Sequence, residues 1–219
     1  MALLRGLRRG LAGAIIAAMP ALVIGYSPAN AAEMRLLALG DSLTAGFGLA
    51  AGQDFAQQLE RALRKRGVSV TVLNAGVSGD TTSGALQRLD WALGDKPRIA
   101  IVELGANDML RGLDPELARS NLDAILTRLK QSNVEVLLAG MLAAPNMGKD
   151  YERHFNAIYP ALSQKHGVAL YPFFLEGVAG KAQLLLPDGM HPNELGVSEI
   201  VRRILPAVEE LAAEAGRKK

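Results

Sequence analysis

The chain has 219 residues, contains no cysteine and carries 24 Lys and Arg against 22 Asp and Glu, a formal net charge of +2. This length suits one domain with a single core, and the missing cysteine excludes disulfides and a thiol nucleophile. Three of the basic residues and none of the acidic ones lie in residues 1–31, so the remainder is almost neutral. We therefore expect no nucleic acid partner.

The N-terminal segment differs from the rest of the chain. Three arginines precede an apolar run over residues 11–25, and Ala29-Asn30-Ala31 has the small-x-small pattern of a cleavage site. The run is short for a membrane span and Pro20 interrupts it, so the pattern predicts a signal peptide over residues 1–31. The alternatives are an uncleaved anchor or a start at Met34. The signal peptide implies a periplasmic or secreted protein, with no stable membrane insertion after its removal.

From there onward the predicted elements alternate between strands and helices. Runs rich in Val, Ile and Leu, typical of strands covered on both faces, lie at residues 35–40, 68–74, 98–104, 134–140 and 168–173. Amphipathic helical patterns lie near residues 54–66, 83–93, 114–131, 150–166 and 193–214. This alternation, with its short connections, predicts one α/β domain over residues 32–219 with a doubly wound, five-stranded parallel sheet.

Glycine and proline support these boundaries. Gly67 and Gly167 follow helical patterns, at the position where glycine takes a positive φ without steric cost. Asp114-Pro115 is typical of an N-cap followed by proline in the first turn. Pro206 lies inside the last helical pattern and predicts a kink there.

The first predicted strand ends in Gly40-Asp41-Ser42-Leu43. Ligands of doubly wound sheets bind at the carboxyl ends of the strands. A serine at such a turn exposes its hydroxyl, and its backbone N–H can help to bind an oxyanion. Taken alone, however, Gly-Asp-Ser is equally typical of a turn or a helix cap.

Two further strand ends carry candidate oxyanion donors. Gly76, at the end of strand two, offers a backbone N–H, and Asn107, after strand three, offers a side-chain amide. Each also has a purely structural explanation. Gly76 and Gly79 permit a tight loop, and Asn107 is a common turn residue.

A carboxylate and an imidazole stand close together near the C-terminus, in the sequence Asp-Gly-Met-His-Pro. Pro192 biases His191 away from helical backbone angles, so the loop presents both side chains where the last helix begins. A base at His191 oriented by Asp188 is the arrangement that a serine nucleophile needs. The other histidines, His154 and His166, lie in a helical pattern, and three histidines without cysteine leave too few ligands for a metal cluster.

The order of these motifs is more specific than any one of them. Gly-Asp-Ser-Leu after strand one, Gly76 after strand two, Gly-x-Asn-Asp after strand three and Asp-x-x-His near the end resemble the signature of the SGNH (GDSL) hydrolases. The resemblance extends over residues 34–210. Supporting stretches, among them Ser78-Gly79-Asp80-Thr81, are similar to the branch that contains acyl-CoA thioesterase I, lysophospholipase L1 and bacterial arylesterases. Ala106 stands where that branch often has glycine. Its methyl group lies beside the expected oxyanion donor, so we expect this difference to affect substrate preference.

The resemblance implies a flavodoxin-like three-layer α/β/α fold and a serine hydrolase that needs no cofactor and no metal. It implies a triad of Ser42, His191 and Asp188, with an oxyanion hole formed by the N–H groups of Ser42 and Gly76 and by the Asn107 amide. The expected substrates are small-molecule acyl esters or thioesters, including aryl esters and lysophospholipids, cleaved through an acyl-enzyme. Nothing in the sequence requires more than a monomer.

Apolar side chains near the strand ends are candidates for an acyl groove. They are Phe47, Met109, Leu110, Leu142, Leu185 and, in the loop over residues 143–150, Met147. We expect that loop to close over a bound chain. For the leucine run around Leu185, the alternative is core packing beneath a loop.

Two other functions fit parts of the sequence. One is a non-catalytic flavodoxin-like binding module in which Asp41, Asp80 and Asp108 serve ion binding or phosphorylation, but it leaves Asp188 and His191 unexplained. The other is a carbohydrate acetyl esterase with the same triad. With only 5% aromatic residues, the chain has few platforms for sugar stacking, which disfavours that substrate class.

Overall fold

A computed structural model describes residues 33–217, and its central element is a five-stranded parallel sheet in the order β2-β1-β3-β4-β5. The strands are β1 (Met34–Gly40), β2 (Val70–Gly76), β3 (Ile99–Glu103), β4 (Glu135–Ala139) and β5 (Ala169–Tyr171). All five strands predicted from the sequence are confirmed, with ends shifted by at most two residues. The signal peptide predicted for residues 1–31 lies outside the described residues.

The strand order places a topological switch point at β1. The chain passes from β1 to β2 on one side and then returns to place β3 on the other side, so β1 pairs in parallel with both. Gly40, the last residue of β1, is in register with Gly76 of β2 and with Glu103 of β3. The loops that leave these three strands therefore begin side by side, in the crevice where open α/β sheets bind ligands.

Helices cover both faces of the sheet. They are α1 (Ser42–Ala45), α2 (Phe55–Lys65), α3 (Thr82–Leu93), α4 (Ala106–Leu110), α5 (Pro115–Gln131), α6 (Lys149–Asn156), α7 (Ile158–His166) and α8 (Glu194–Arg217). Helix α2 packs against α8, whereas α5 packs against α3 and α7. Strand β3 is buried along its whole length, as the continuous apolar run predicts, and the three-layer α/β/α fold is confirmed.

The helix expected over residues 150–166 is the main departure from the predicted elements. It forms two helices, α6 and α7, that meet at Ala157. Pro160 explains the break, because its ring clashes with the carbonyl of the residue four positions earlier, which is Asn156 at the end of α6. Proline is tolerated in the first turn of α7, where its missing N–H costs nothing.

Several of the predicted helix ends are confirmed. Gly67 and Gly167 have φ values of 82° and 61°, and Asp114 caps α5 by accepting a hydrogen bond from Glu116 N. Helix α8 continues through Pro206, so the kink expected there stays a prediction. No helix within residues 33–217 has the length and apolar character that crossing a membrane requires.

Candidate active site

Ser42 lies in the crevice at the carboxyl end of β1, as the first residue of the one-turn helix α1. The preceding residue, Asp41, caps this helix, and its Oδ1 accepts a hydrogen bond from Leu43 N at 3.0 Å. The cap holds the strand-to-helix turn in one conformation. The hydroxyl of Ser42 is thereby fixed at the carboxyl end of β1.

His191 links Ser42 to Asp188 by two short contacts. Its Nε2 lies 3.0 Å from Ser42 Oγ, and its Nδ1 lies 2.6 Å from Asp188 Oδ2. The structure therefore brings together the three side chains singled out in the sequence. Residues separated by 149 positions meet at one point, in the geometry that activates a serine hydroxyl.

Backbone hydrogen bonds hold Asp188 in its ionised form. Its Oδ1 accepts from His191 N at 3.0 Å and from Met190 N at 2.9 Å, which leaves Oδ2 for the imidazole. These backbone bonds, with the bond to the His191 ring, lower the pKa of Asp188 to about 2. The carboxylate thus stays charged across the working pH range and fixes the orientation of the ring.

The loop that carries His191 is tied to its neighbours. Leu186 N donates to the His191 carbonyl at 2.7 Å, and Asn193 Nδ2 donates to the Gln183 and Leu185 carbonyls. Phe47 stacks on the imidazole with a centroid distance of 4.4 Å and an interplanar angle of 37°. His191 is therefore held from the backbone side and covered by an aromatic ring.

Asn107 lies beside the serine, in the short helix α4. Its Nδ2 donates to Asp41 Oδ2 at 2.9 Å, and the residue lines the cavity next to Ser42. An amide nitrogen carries two hydrogens, so one remains for a ligand after the bond to Asp41. Asp41 thus positions both the serine helix and the candidate oxyanion donor.

Gly76 ends β2 as the sequence analysis expected, but its N–H is not free to bind an oxyanion. Its N–H already donates to Asn74 Oδ1 at 2.9 Å, and the residue does not line the cavity around Ser42. Close packing accounts for the glycine, because a Cβ at position 76 would lie 2.2 Å from Ala45 N. The structure thus corrects Gly76 from an oxyanion donor to a packing residue.

In the loop after β2, Gly79 reaches the cavity beside its neighbour Ser78. It lines the cavity together with Ser42 and Asn107, and its N–H donates to no group within residues 33–217. Its φ of 79° favours glycine and turns the chain at this point. Gly79 lies in the stretch Ser78-Gly79-Asp80-Thr81, which resembles the family sequence. Sequence spacing alone, however, does not show which glycine of a loop faces a ligand.

The cavity around Ser42 has a volume of about 490 Å³ and a mostly apolar lining. Of the groove residues expected from the sequence, Phe47, Met109, Leu110 and Leu185 line it, whereas Leu142 and Met147 do not. Among the lining residues that the sequence analysis missed are Leu175, Ala179, Gly180 and Met190. Leu175, Ala179 and Gly180 follow β5, so the carboxyl-end rule for parallel strands is the signal that could have found them.

A buried pair of carboxyl groups lies beneath the serine helix. Glu103 Oε2 accepts hydrogen bonds from Thr44 Oγ1 at 2.7 Å and from Asp41 N at 3.4 Å, while Oε1 has no partner among the described residues. Burial raises the pKa of Asp41 to about 6. Burial, and the nearby charge of Asp41, raise the pKa of Glu103 well above its usual range. Burial therefore favours the protonated form of both carboxyl groups.

The aspartates of the binding-module alternative do not converge on a shared site. Asp41 and Asp108 are fully buried, and Asp108 accepts two hydrogen bonds from Thr82, at 2.8 and 2.7 Å. Asp80 forms an ion pair with Arg88. Residues 33–217 contain no group of three or more His, Asp or Glu side chains arranged for a metal ion.

Comparisons with known proteins point in one direction. A family model described as "GDSL-like Lipase/Acylhydrolase family" matches residues 38–197. An arylesterase from Vibrio mimicus is 41% identical over 168 residues, which cover 76% of this chain and 84% of the relative. A protein of Escherichia coli (strain K12), named thioesterase 1/protease 1/lysophospholipase L1, is 41% identical over 164 residues, which cover 74% of this chain and 77% of the relative.

A solved structure adds the same relation at the level of the fold. AlinE4, described as an SGNH-hydrolase family esterase, superimposes with a TM-score of 0.70 at 48% sequence identity. The match covers 81% of this chain and 96% of that one.

Proposed function

Because the chain belongs to the GDSL-like lipase/acylhydrolase family, as an esterase/thioesterase-type hydrolase, we propose that Ser42, His191 and Asp188 are its catalytic triad. The observation that carries the proposal is the position of His191, 3.0 Å from the serine hydroxyl and 2.6 Å from the carboxylate. No alternative base competes, because His154 is exposed on α6 and His166 pairs with Asp123.

The proposed acylation step begins with proton transfer from Ser42 Oγ to His191 Nε2. The serine oxygen attacks the acyl carbonyl, and the negative charge that develops on the carbonyl oxygen is stabilised by hydrogen-bond donors. Three donors serve this role in our proposal, namely the N–H groups of Ser42 and Gly79 and the side-chain amide of Asn107. His191 then gives its proton to the leaving alcohol or thiol.

Water completes the cycle by the same route. His191 takes a proton from the water, which attacks the acyl-enzyme, and then returns that proton to Ser42. Asp188 stays ionised throughout and stabilises the imidazolium that forms in each half of the cycle. No cofactor enters any of these steps.

The proposed substrates are acyl esters and thioesters of small molecules, with an apolar acyl group. Leu175, Leu185 and Met109 line the cavity beside the serine and suit an acyl chain. Carbohydrate acetyl esters rank below them, because the lining offers one aromatic ring, Phe47, and that ring already stacks on His191. The proposed site is complete within one chain, so a monomer suffices.

Hydrolysis of a p-nitrophenyl ester series by the wild-type protein and by Ser42→Ala tests the mechanism. We expect the substitution to lower kcat by about 10⁴-fold or more. Equal turnover by the two folded proteins would refute the triad. Release of acetate from acetylated glycans at a higher kcat/KM than from aryl or thioesters would favour the carbohydrate alternative.

We further propose that residues 1–31 are a signal peptide and that the enzyme acts in the periplasm or outside the cell. The proposal follows from the basic start, the short apolar run and the Ala29-Asn30-Ala31 pattern. Mass spectrometry of the exported protein should give a chain that begins at residue 32. A full-length chain retained in the membrane fraction would instead indicate an uncleaved anchor.

A further inference from the structure

Arg88, on the buried side of α3, uses three of its nitrogens to bind three different segments. Its Nε donates to Asp80 Oδ2 at 2.7 Å, its Nη1 to the Ala75 carbonyl at 2.8 Å and its Nη2 to the Gly40 carbonyl at 2.9 Å. The ion pair with Asp80 is largely buried, since the side chains are 19% and 11% exposed.

The three partners of Arg88 surround the proposed oxyanion donors. Gly40 ends β1 and lies two residues before Ser42, and Asp80 directly follows Gly79. Ala75 is the penultimate residue of strand β2, and the loop with Gly79 begins after the end of this strand. The guanidinium of Arg88 thus links the backbone segment before Ser42 to both sides of the loop that carries Gly79.

We propose that Arg88 is a positioning residue for the oxyanion hole, where it fixes the N–H groups of Ser42 and Gly79 relative to each other. This inference rests on the proposed function. Both donors are backbone groups, so their separation is set only by how the two segments are held. An oxyanion donor acts within a narrow range of about 2.7–3.1 Å, and a planar fork with fixed donor directions holds such a geometry better than a flexible ammonium group.

Arg128 provides a matched comparison in the neighbouring helix α5. It donates through Nε to Asp90 Oδ1 at 2.9 Å, as Arg88 does to Asp80. This pair is exposed, with side-chain exposures of 51% and 74%, and touches no strand end. It therefore controls for the loss of an arginine–aspartate pair without any effect on the loops at the crevice.

The experiment compares Arg88→Lys, Arg88→Met and Arg128→Met with the wild-type protein on a p-nitrophenyl ester and on its thionoester. Lysine keeps the charge next to Asp80 but lacks the planar fork that directs separate nitrogens at the two carbonyls, whereas methionine loses every donor. The thionoester replaces the carbonyl oxygen by sulfur, a larger and weaker acceptor, so it benefits less from a well-formed oxyanion hole.

We expect Arg88→Lys to lower kcat for the ester by roughly 10- to 10³-fold, the range for a disturbed oxyanion donor, with KM changed less than about threefold. The ratio of kcat/KM for ester over thionoester should fall by at least about fivefold, because the oxygen substrate gains more from the donors that the substitution displaces. Arg128→Met should leave both the ratio and kcat unchanged. A loss of folded protein alone lowers the activity on both substrates equally, so the ratio of the two kcat/KM values stays constant.

An unchanged ester-to-thionoester ratio in folded Arg88→Lys would overturn the inference, even if kcat fell. Asp80→Asn provides a second variant if Arg88→Met fails to fold, since it keeps the arginine and both carbonyl bonds and should lower the ratio less than Arg88→Lys. A larger fall for Asp80→Asn would also contradict the inference. The proposed function fails separately, and only if Ser42→Ala retains turnover.

Discussion

Asp41 holds together the helix of Ser42 and the proposed oxyanion donor, the amide of Asn107. One of its carboxylate oxygens caps the helix of Ser42, and the other accepts the amide of Asn107. Each oxygen is an acceptor, so the residue cannot be replaced by a group that presents a donor on either side. The acidic residue of the Gly-Asp-Ser motif therefore has a physical role that does not require contact with substrate.

Asp41→Asn tests this role, because it replaces one carboxylate oxygen by an amide nitrogen. The new amide group keeps one oxygen for Leu43 N but turns its nitrogen towards Asn107 Nδ2, so two donors face each other and the Asn107 amide swings away. We expect kcat to fall by roughly 10- to 10³-fold with little change in KM, measured on a short aryl ester. Combined with Asn107→Ala, the substitution should add little further loss, and full additivity of the two effects would contradict the linkage.

The residues of the proposed triad were identifiable from the sequence because each sits in a short motif whose backbone is locally determined. Only two residues separate Asp188 from His191, and Ser42 lies two residues after the end of a buried strand. The choice between Gly76 and Gly79 was not accessible in this way. It depends on which N–H is already used by Asn74, a contact that only the folded loop defines.

At the scale of secondary structure, helix α7 supports the loop that presents Asn107. Tyr159 is fully buried, and its hydroxyl donates to the Leu104 carbonyl at 3.0 Å. The adjacent Gly105 has a φ of 113°, and a Cβ there would lie 2.3 Å from that hydroxyl. The turn after β3 is thus shaped around the tyrosine.

Tyr159→Phe should destabilise the protein by about 1–3 kcal/mol, because a buried carbonyl loses its donor without access to water. Denaturant unfolding monitored by circular dichroism measures the change. Tyr151→Phe is the matched control, since that hydroxyl donates to the Leu113 carbonyl from a half-buried position where water can replace it. Equal losses from the two substitutions would show that burial of the carbonyl is not the cause.

The segment that follows β5 forms one wall of the cavity, and Ala179 is its smallest side chain apart from Gly180. Ala179→Leu should shorten the groove and lower kcat/KM for octanoyl relative to acetyl esters by about tenfold, the scale of a few methylene groups in an apolar pocket. Met147→Ala should leave the chain-length profile unchanged because Met147 lies outside the lining. A reversed result would move the acyl site to the loop over residues 143–150.

Periodicity predicted the long elements and missed the short ones. Helices α1 and α4 have four and five residues, too few for a helical pattern to repeat, and both carry residues of the candidate site. The break between α6 and α7 was encoded by Pro160, but the continuous amphipathic pattern outweighed it. The elements that shape the site are therefore those whose conformation depends most on their surroundings.

For the whole molecule, the buried Glu103 makes stability depend on pH. Its pKa is raised in the folded state by burial and lies near 4.5 in the unfolded chain. Below pH 4.5 the carboxyl is protonated in both states. As the pH rises above 4.5, the unfolded state releases this proton and the folded state keeps it, so the free energy of unfolding falls until the folded carboxyl also ionises.

Glu103→Gln removes this dependence while it keeps the shape of the side chain. We expect the difference in Tm between the variant and the wild-type protein, compared from pH 4 to pH 8, to be small at pH 4 and to shift in favour of the variant once the pH exceeds 4.5. Thermal unfolding by calorimetry across that range measures it. A difference in Tm that stays constant with pH would mean that the buried carboxyl does not take up its proton on folding.

The distance along the chain between Ser42 and His191 also determines when the two residues can meet during synthesis. Ser42, the capping residue Asp41 and the first strand leave the ribosome before most of the sheet has been synthesised. His191 follows 149 residues after Ser42. Until the final loop docks, the nascent chain carries a serine hydroxyl with no partner to activate it. Under the proposed mechanism, the polypeptide therefore cannot hydrolyse a substrate for nearly all of its synthesis, and activity begins only when the last part of the domain is in place.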